Sequence, residues 1–371
     1  MKSGVSAAWL ALLLSLLIGL PRDAGAGETA RSGNGWTGSA TSGSRAAGVP
    51  FPPADAAGCP SSNRGGFRRA GEGRRSFTAP TVESVRTTGR NYLYKASFTP
   101  AAPPATFWEG HLEAFSIHED GTVTARWDAG DRLRRTRPAD RLLFAGHTAD
   151  GLSWSRMEFH KDTITPGMLA VPTAAERDAV VDYVRGLGHD DSAKLGDVLH
   201  SKAVVVGPPS RFFFDEGYST GVPAGEKSFA DAKATRKRVV YVGTNDGMLH
   251  AFLGGTYDPT TGLYDAGTGE EMFGYVPFHI LQDLVDYVPG EHTSHRYYVD
   301  SSPRAADVWI DANGDGTKQS SEWRTVLIGG LRGGGDAYFA LDVTDPPSGT
   351  DYGDYPRVLW EYRNPSVVGE T

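Results

Sequence analysis

The feature of this sequence that most constrains its fold is a repeat of strand-like segments about 86 residues apart. RVVYVGTNDGMLHAF (Arg238–Phe252) is matched by RTVLIGGLRGGGDAYFALD (Arg324–Asp342), each a buried strand ending in Gly, a Gly-rich turn and a second strand. A further strand is predicted before each segment and an aromatic strand after it: DVLHSKAVVVG (197–207) and EEMFGYV (270–276), then RYYVDSSPRAADVWI (296–310) and RVLWEY (357–362). Repeated units of four antiparallel strands are typical of β-propeller blades.

The sequence therefore predicts an all-β fold with two four-stranded antiparallel blades, at about residues 195–276 and 296–362. The hairpin GHLEAFSIHEDGTVTARWD (Gly110–Asp128) resembles the outer half of such a unit, with Asp120-Gly121 at its turn. Propellers close with about four to eight blades. We therefore expect an incomplete ring, with the hairpin in a further blade completed by strands beyond Thr371, in a chain that is part of a longer protein or a truncated relative. A β-sandwich built from the same strands is the alternative.

The N-terminal region predicts a targeting segment and a disordered leader. Lys2 precedes the apolar run AAWLALLLSLLIGL (Ala7–Leu20), which has the length of a signal-peptide core, and Ala24-Gly25-Ala26 supplies the small residues of a cleavage site. Residues 1–26 are thus interpreted as a signal peptide, with an uncleaved anchor as the alternative. Residues 27–90 are rich in Gly, Ser, Ala and Arg, a composition that predicts disorder.

Residues 91–371 are predicted to form the folded part, a partial propeller with one helix at Thr173–Gly186. In that helix Thr173 and Glu176 have the spacing of a capping box. The net charge of −8 gives no reason to expect nucleic acid as a partner. Cys59 is the single cysteine, which excludes an internal disulfide. No stretch after the signal peptide is apolar enough to cross a membrane.

Several of these motifs together resemble one known family. LGDVLHSKAVVVGPPS, RVVYVGTNDGMLHAF, GEEMFGYVPFHILQDL, HRYYVDSSPRAADVW and WRTVLIGGLRGGGDAYFALDVTDP are similar to the C-terminal propeller of the PilY/PilC family of type IV pilus tip-associated assembly and adhesion proteins. The similarity runs from about Tyr92 to Thr371 and is strongest from Leu195 to Pro346. It implies a non-enzymatic role in pilus biogenesis or adhesion. The implied locations are the periplasm, the outer cell surface or the pilus tip, and the implied partners are minor pilins and host or abiotic surfaces.

An enzyme is the main alternative function. YVGTNDGMLHAF…GTGEEMFGYV also resembles the repeat of pyrroloquinoline-quinone dehydrogenases, which are exported and use calcium, but a single cysteine cannot supply the adjacent pair that many of them carry. We predict no catalytic residue. His292 and His295 form an HxxH without a nearby carboxylate pair, His200 and Ser201 have no obvious acid partner, and Asp246 is interpreted as a turn former.

The segment DANGDGTKQSSE predicts a calcium site, because it matches the diagnostic positions of an EF-hand loop. Strand-like residues flank it on both sides, whereas an EF-hand has helices. The predicted ligands are side-chain oxygens at positions one, three and five, a backbone carbonyl at seven, a direct or water-mediated contact at nine and both carboxylate oxygens at twelve: Asp311, Asn313, Asp315, Thr317, Gln319 and Glu322. A solvated acidic hairpin without an ion is the alternative.

The signal-peptide interpretation predicts that the exported mature protein begins at Gly27, since cleavage after Ala26 follows the small residues that the peptidase needs. N-terminal sequencing of exported protein checks this. Recovery of an intact Met1 from exported material would instead establish an uncleaved anchor.

Overall fold

The computed structural model describes residues 74–82, 91–101, 107–189, 193–289 and 294–363. The predicted signal peptide, Cys59 and His292 lie outside the described residues. Within the described ranges, no helix is both long enough and apolar enough to cross a membrane.

The first sheet contains the predicted hairpin. Its four antiparallel strands follow one another in chain order: β1 (Thr81–Val82), β2 (Asn91–Thr99), β3 (Glu109–Ile117) and β4 (Val123–Asp128). The hairpin is therefore completed by two strands that precede it, and the expectation that later strands complete it was wrong. β1 also lies inside the predicted disordered leader. Residues 74–82 pair with β2 through Thr81–Tyr94 and Arg75–Phe98, so the predicted leader reaches too far toward its C-terminal end.

The second sheet has six strands and contains the first predicted blade. Its strands are β5 (Leu143–Thr148), β6 (Trp154–Glu158), β7 (Val204–Val206), β8 (Arg238–Gly243), β9 (Leu249–Gly255) and β12 (Glu271–Val276). Their order across the sheet is β6-β5-β12-β9-β8-β7. The strands of the predicted blade are adjacent and antiparallel. β5 and β6 extend it unexpectedly, and β5 runs parallel to β12. The short strands β10 (Tyr257–Asp258) and β11 (Leu263–Tyr264) form a separate pair.

The third sheet is the second predicted blade, with the four antiparallel strands in chain order. These are β13 (Arg304–Trp309), β14 (Trp323–Gly330), β15 (Ala337–Asp342) and β16 (Arg357–Arg363). The chain therefore has the mostly β, propeller-like fold that the repeat predicts, and the described residues form no closed ring.

Three α-helices are described: α1 (Ala129–Arg135), α2 (Ala174–Val184) and α3 (Phe229–Ala232). The predicted helix is α2, and its capping box is present. The Glu176 amide donates to Thr173 Oγ1 over 3.2 Å, and the Thr173 amide donates to Glu176 Oε2 over 3.0 Å. The predicted end at Gly186 lies two residues beyond the helix, because Gly186 has a φ of +98°, outside the helical region.

The middle strands of the six-stranded sheet are buried on both faces, as the apolar β8 illustrates. Side chains alternate across a strand. Val239 and Tyr241 join the main core with Leu327 of the third sheet. Val240 and Val242 join a second cluster formed with the first sheet, whose other members include Tyr92, Tyr94 and Leu112. The six-stranded sheet is therefore the central layer of the described structure.

Glycines allow the layers to approach at backbone level. The Gly110 amide at the start of β3 donates to the Leu195 carbonyl over 2.8 Å, and a Cβ on Gly110 would overlap the Gly196 carbonyl oxygen. At the end of β8, a Cβ on Gly243 would overlap the Val299 carbonyl oxygen. The Gly110 contact joins the first sheet to the segment that precedes β7. The Gly243 contact joins the end of β8 to the segment that precedes β13.

Candidate functional site

The predicted calcium loop connects β13 to β14, so strands flank it as the sequence indicates. Each of the first three predicted ligand side chains accepts a backbone N–H from within the loop. Asp311 Oδ2 accepts from Gly316 over 3.1 Å, Asn313 Oδ1 from Asp315 over 2.9 Å, and Asp315 Oδ1 from Thr317 over 2.7 Å. The Thr317 N–H also lowers the pKa of Asp315. Gly316 has a φ of +73°, which permits the sharp turn.

Glu322, the last residue of the loop, reaches back to its beginning. Its side chain is buried, with Oε2 accepting from Trp309 Nε1 over 3.0 Å and Oε1 from the Ala312 amide over 3.2 Å. Gln319 Nε2 donates to Asp315 Oδ2 over 3.2 Å. These bonds close the loop, so the described residues bring the predicted ligands onto one closed turn.

The donor set fits calcium in chemistry and order, since every proposed ligand atom is an oxygen. The carboxylate oxygens of the 311–322 loop lie farther apart than they would around a bound ion. Among the residues that the structure describes, one group of three potential ligand side chains has its ligating atoms within 4.8 Å of one another, and it lies elsewhere, at His111, Asp128 and Asp131. Binding at the 311–322 loop would therefore draw its carboxylates closer together.

The His111 group is better explained by an arginine than by a metal. His111 Nδ1 lies 2.8 Å from Asp128 Oδ2, and the Arg74 guanidinium lies 3.0 Å from the same His111 nitrogen and 3.7 Å from Asp128 Oδ2. Asp128 also caps helix α1 by accepting from the Gly130 amide over 2.9 Å. The cluster thus has a structural role at the start of α1, and the sequence analysis did not identify it.

A buried ionic network crosses the central sheet. Arg141 Nε and Nη2 donate to the two carboxylate oxygens of Glu271, each over 2.8 Å. His250 Nδ1 lies 2.7 Å from Glu271 Oε1, and His250 Nε2 lies 3.0 Å from Asp246 Oδ2. All four side chains are almost completely buried. A histidine or carboxylate in an otherwise apolar strand, as His250 in MLHAF and Glu271 in EEMF, is a sequence signal that could have found two of the four.

The pKa values in this network favour the charged forms. Burial alone would lower the pKa of His250, but the Asp246 and Glu271 carboxylates raise it to about 9. Burial would raise the pKa of Glu271, but the Arg141 guanidinium and His250 hold it well below its usual range. The pKa of Asp246 is likewise lowered, because the attraction of His250 outweighs burial. The network therefore consists of paired charges.

The turn between β8 and β9 does more than the predicted reversal of the chain. Asp246 Oδ2 accepts from the Gly196 amide over 2.7 Å. Asn245 Nδ2 donates to Asp197 Oδ2 over 2.7 Å, and Asn245 Oδ1 accepts from the Tyr298 amide over 3.0 Å. The interpretation of Asp246 as a turn former was therefore incomplete: the turn is a buried junction between distant segments.

Two histidines singled out in the sequence have carboxylate partners. His295 Nε2 lies 2.7 Å from Asp197 Oδ1, and the His295 ring stacks on Trp108 at 4.0 Å between centroids. His200 Nδ1 lies 2.7 Å from Asp300 Oδ2, so the expectation that His200 lacks an acid partner was wrong. The sequence could not show this pair, because its members are 100 residues apart.

Ser201 does not complete a nucleophilic group with this pair. Its Oγ accepts from the Gly243 amide over 3.0 Å and so fixes the end of β8. Asp300 also accepts from Arg332 Nη1 over 3.2 Å. These groups join segments of the chain.

Glu361 on β16 places a carboxyl group between the third sheet and the central sheet. Its Oε1 accepts from the Tyr275 hydroxyl over 2.6 Å and from the Phe278 amide over 2.9 Å. Its Oε2 is buried without a hydrogen-bond partner among the described residues. Burial raises the pKa of Glu361 to about 7, against the lowering effect of the Tyr275 hydroxyl. The carboxyl is thus easily protonated near neutral pH.

Comparison with known proteins decides the family. A sequence profile of the PilY1 beta-propeller domain matches residues 195–365. Residues 195–365 belong to the PilY1 β-propeller family. The matched residues include β7, β8, β9 and β12 of the six-stranded sheet, the third sheet, the 311–322 loop and most of the buried network. The predicted resemblance to the family is therefore confirmed.

Curated PilY1 proteins match over more of the chain. The "Type IV pilus biogenesis factor PilY1 homolog" of Xylella fastidiosa strain Temecula1 is 30% identical over 303 residues, covering 79% of this chain and 21% of that protein. The "Type IV pilus biogenesis factor PilY1" of Pseudomonas aeruginosa strain PAK is 35% identical over 285 residues, covering 68% of this chain and 21% of that protein. The chain thus spans about a fifth of the length of these relatives.

A solved structure is also similar in sequence. The crystal structure of the Pseudomonas aeruginosa PilY1 C-terminal domain is 36% identical, covers 37% of this chain and 20% of that chain, and aligns with a TM-score of 0.23.

Replacing Arg141 with Met is expected to lower the free energy of unfolding by about 3–5 kcal/mol, because it removes the guanidinium that binds both oxygens of the buried Glu271 carboxylate and leaves His250 as its remaining charged partner. Urea denaturation measures the change. Arg137→Met is the matched control: Arg137 pairs with Asp140 at a side-chain exposure of 80%, and exposed pairs contribute about 0–1 kcal/mol. Adding Glu271→Gln to Arg141→Met should recover stability, and a double variant no better than Arg141→Met would contradict this explanation.

Glu361 predicts a loss of stability as pH rises. Its folded pKa of about 7 lies above the ordinary 4.5, so the folded state holds a proton that the unfolded state releases. The stability that this proton contributes to the folded state is fully present below about pH 4.5 and is lost as the pH rises through about 7. Between about pH 5.5 and 8 the loss is on the order of 2 kcal/mol.

Glu361→Gln keeps the acceptor oxygen but does not titrate. Urea denaturation at about pH 5.5 and about pH 8 measures the free energy of unfolding of both proteins. From the lower to the higher pH, the variant should gain about 2 kcal/mol of stability relative to the unsubstituted protein. The exposed Glu119→Gln serves as the control. An identical pH dependence of the Glu361→Gln variant and the unsubstituted protein would refute the assignment.

Proposed function

We propose that the protein is an exported, non-enzymatic type IV pilus biogenesis and adhesion factor whose propeller sheets bind pilus components or surfaces. The observation that supports this most strongly is the PilY1 β-propeller match over residues 195–365, together with relatives that are named type IV pilus biogenesis factors. Minor pilins are the proposed partners. The periplasm, the outer cell surface or the pilus tip is the proposed location.

The contacts of three histidines are consistent with a binding role. His200, His250 and His295 pair with Asp300, Glu271 and Asp197, and these pairs connect separate segments of the chain. Their hydrogen-bonding capacity therefore serves the fold.

We further propose that calcium orders the 311–322 loop. Asp311, Asn313 and Asp315 would supply side-chain oxygens and Glu322 both carboxylate oxygens, with Thr317 and Gln319 completing about seven ligands. Strands on both flanks provide no helix pair to open, so the ion would act as a structural clip. At about 1 mM calcium and a dissociation constant near 0.1 mM, the stabilisation is on the order of 1.4 kcal/mol.

Calorimetry of the exported protein should therefore detect calcium uptake at millimolar concentration, and Asp311→Ala or Glu322→Ala should abolish it. Asp351→Ala is the matched control, because Asp351 accepts a backbone N–H in another exposed turn, from Gly353 over 2.9 Å. If the unsubstituted protein takes up no calcium, the loop is an acidic turn only.

The pilus role is tested in the producing organism. Deletion of the gene should reduce surface pili and twitching motility, and re-expression of the unsubstituted chain in its natural context should restore both. A deletion strain that keeps normal pili but loses growth on an alcohol would refute the pilus role and support the quinoprotein alternative.

A further inference from the structure

Three consecutive phenylalanines form the one run of adjacent exposed large apolar side chains among the described residues. Phe212, Phe213 and Phe214 are 75%, 56% and 83% exposed. The other large apolar side chains that the described chain exposes occur singly along the chain, although Tyr338 and Tyr362 are cross-strand neighbours. Leu152, at 86%, is an example. Isolated exposed apolar residues are ordinary, whereas a contiguous exposed patch marks an interaction surface.

The segment that carries these side chains, Arg211–Glu216, is fixed at its base. Arg211 Nη1 lies 2.5 Å from Asp231 Oδ1 at helix α3. The Phe213 ring meets the buried Tyr218 ring edge-on, with 5.5 Å between centroids. Phe212 and Phe214 have no such ring partner among the described residues. The fold therefore holds this segment in place while leaving two aromatic rings in solvent.

The same segment and the residues that follow it contact the proposed calcium loop and its C-terminal end. Lys318 Nζ lies 2.5 Å from Asp215 Oδ1. The Val222 amide donates to Ser320 Oγ over 3.0 Å, and the Ser320 amide donates to the Val222 carbonyl over 2.9 Å. Immediately after the loop, Trp323 Nε1 donates to the Glu216 carbonyl over 3.1 Å. The position of the exposed segment therefore depends on the 311–322 loop.

Gly217 is where the two segments touch. Its φ is +70°, a conformation that favours glycine, and a Cβ there would overlap the Lys318 carbonyl oxygen. The contact is thus between backbones, so displacement of one segment moves the other.

We propose that Phe212, Phe213 and Phe214 form a docking surface for a protein partner, and that the 311–322 loop holds this surface in its binding position. The partner would present an apolar groove or helix face rimmed by basic side chains. The calcium dependence of this docking rests on the proposed calcium site.

The charges around the phenylalanines decide the kind of partner. Arg211 pairs with Asp231 and Lys318 pairs with Asp215, so these four charges cancel, and the exposed Glu216 carboxylate remains. The 311–322 loop adds the carboxylates of Asp311, Asp315 and Glu322, and a bound calcium ion would neutralise two of these three charges, so the surface keeps a net negative charge. Such a surface repels anionic lipid headgroups and attracts a basic rim. It therefore fits a basic-rimmed protein better than a membrane.

The test uses two synthetic amphipathic helical peptides with the same leucine face, one flanked by lysines and one by glutamates. Fluorescence anisotropy measures their binding to the exported protein at about 1 mM calcium. The lysine peptide should bind at least tenfold more tightly than the glutamate peptide. Phe212→Ser combined with Phe214→Ser should weaken binding of the lysine peptide at least tenfold. Leu152→Ser, at an isolated exposed position, is the matched control and should change nothing.

Calcium removal with a chelator should weaken binding of the lysine peptide about fivefold. Gly217→Ala should weaken it to a similar extent although all three phenylalanines remain, because it separates the segment from the loop. The thermal midpoint of each variant verifies that the fold is intact.

Equal binding of both peptides, or no effect of the double phenylalanine variant, would overturn the docking surface even if calorimetry shows calcium uptake. Phenylalanine-dependent binding without any calcium uptake would uphold the surface and overturn the calcium link. Binding to phosphatidylcholine–phosphatidylglycerol vesicles that needs the phenylalanines, without peptide binding, would replace the protein partner by a membrane. Self-association in sedimentation that the double variant abolishes would replace it by a second copy of the chain.

Discussion

The buried network of Arg141, Glu271, His250 and Asp246 is the interaction on which the described fold depends. Removing an ion from water costs several kcal/mol, and attraction repays this cost only when the geometry and remaining hydrogen bonds are complete. Each member has its partner only when β12, β9 and the β8–β9 turn are correctly aligned. Arg141 also donates to the Arg185 carbonyl at the end of α2 over 3.1 Å. The network thus penalises any incorrect alignment of the central sheet.

The same turn passes this constraint to the neighbouring layers. Asp246 accepts from Gly196, and Gly196 lies beside Gly110 at the start of β3. Asn245 accepts from Tyr298, which precedes the third sheet. Because short backbone contacts leave little freedom, the position of one buried turn defines how the first and third sheets meet the central one. This explains why TNDG is almost completely buried although its composition is typical of an exposed turn.

The sequence was sufficient to predict the strands and caps that depend on residues close together in the chain. β13 to β16 follow one another with local turns, and the capping box of α2 spans four residues, so periodicity and composition were sufficient. The parallel pairing of β5 with β12 joins segments about 130 residues apart, and no local pattern specifies it. The pairing of His200 with Asp300 is equally distant. In the candidate calcium loop, the ligand order was readable from sequence, whereas its contacts with Arg211–Glu216 required the fold.

The two proposed binding features lie on a small cluster that is separate from the main core. Tyr218, Phe229, Ala230 and Trp323 form this cluster, with Trp309 packed against it. Regions with few buried apolar contacts open at lower free energy than the core does. A calcium contribution on the order of 1.4 kcal/mol is small beside the buried network but large for such a cluster. Calcium should therefore change the order of the phenylalanine segment more than it changes the stability of the sheets, which makes partner binding more sensitive to calcium than folding is.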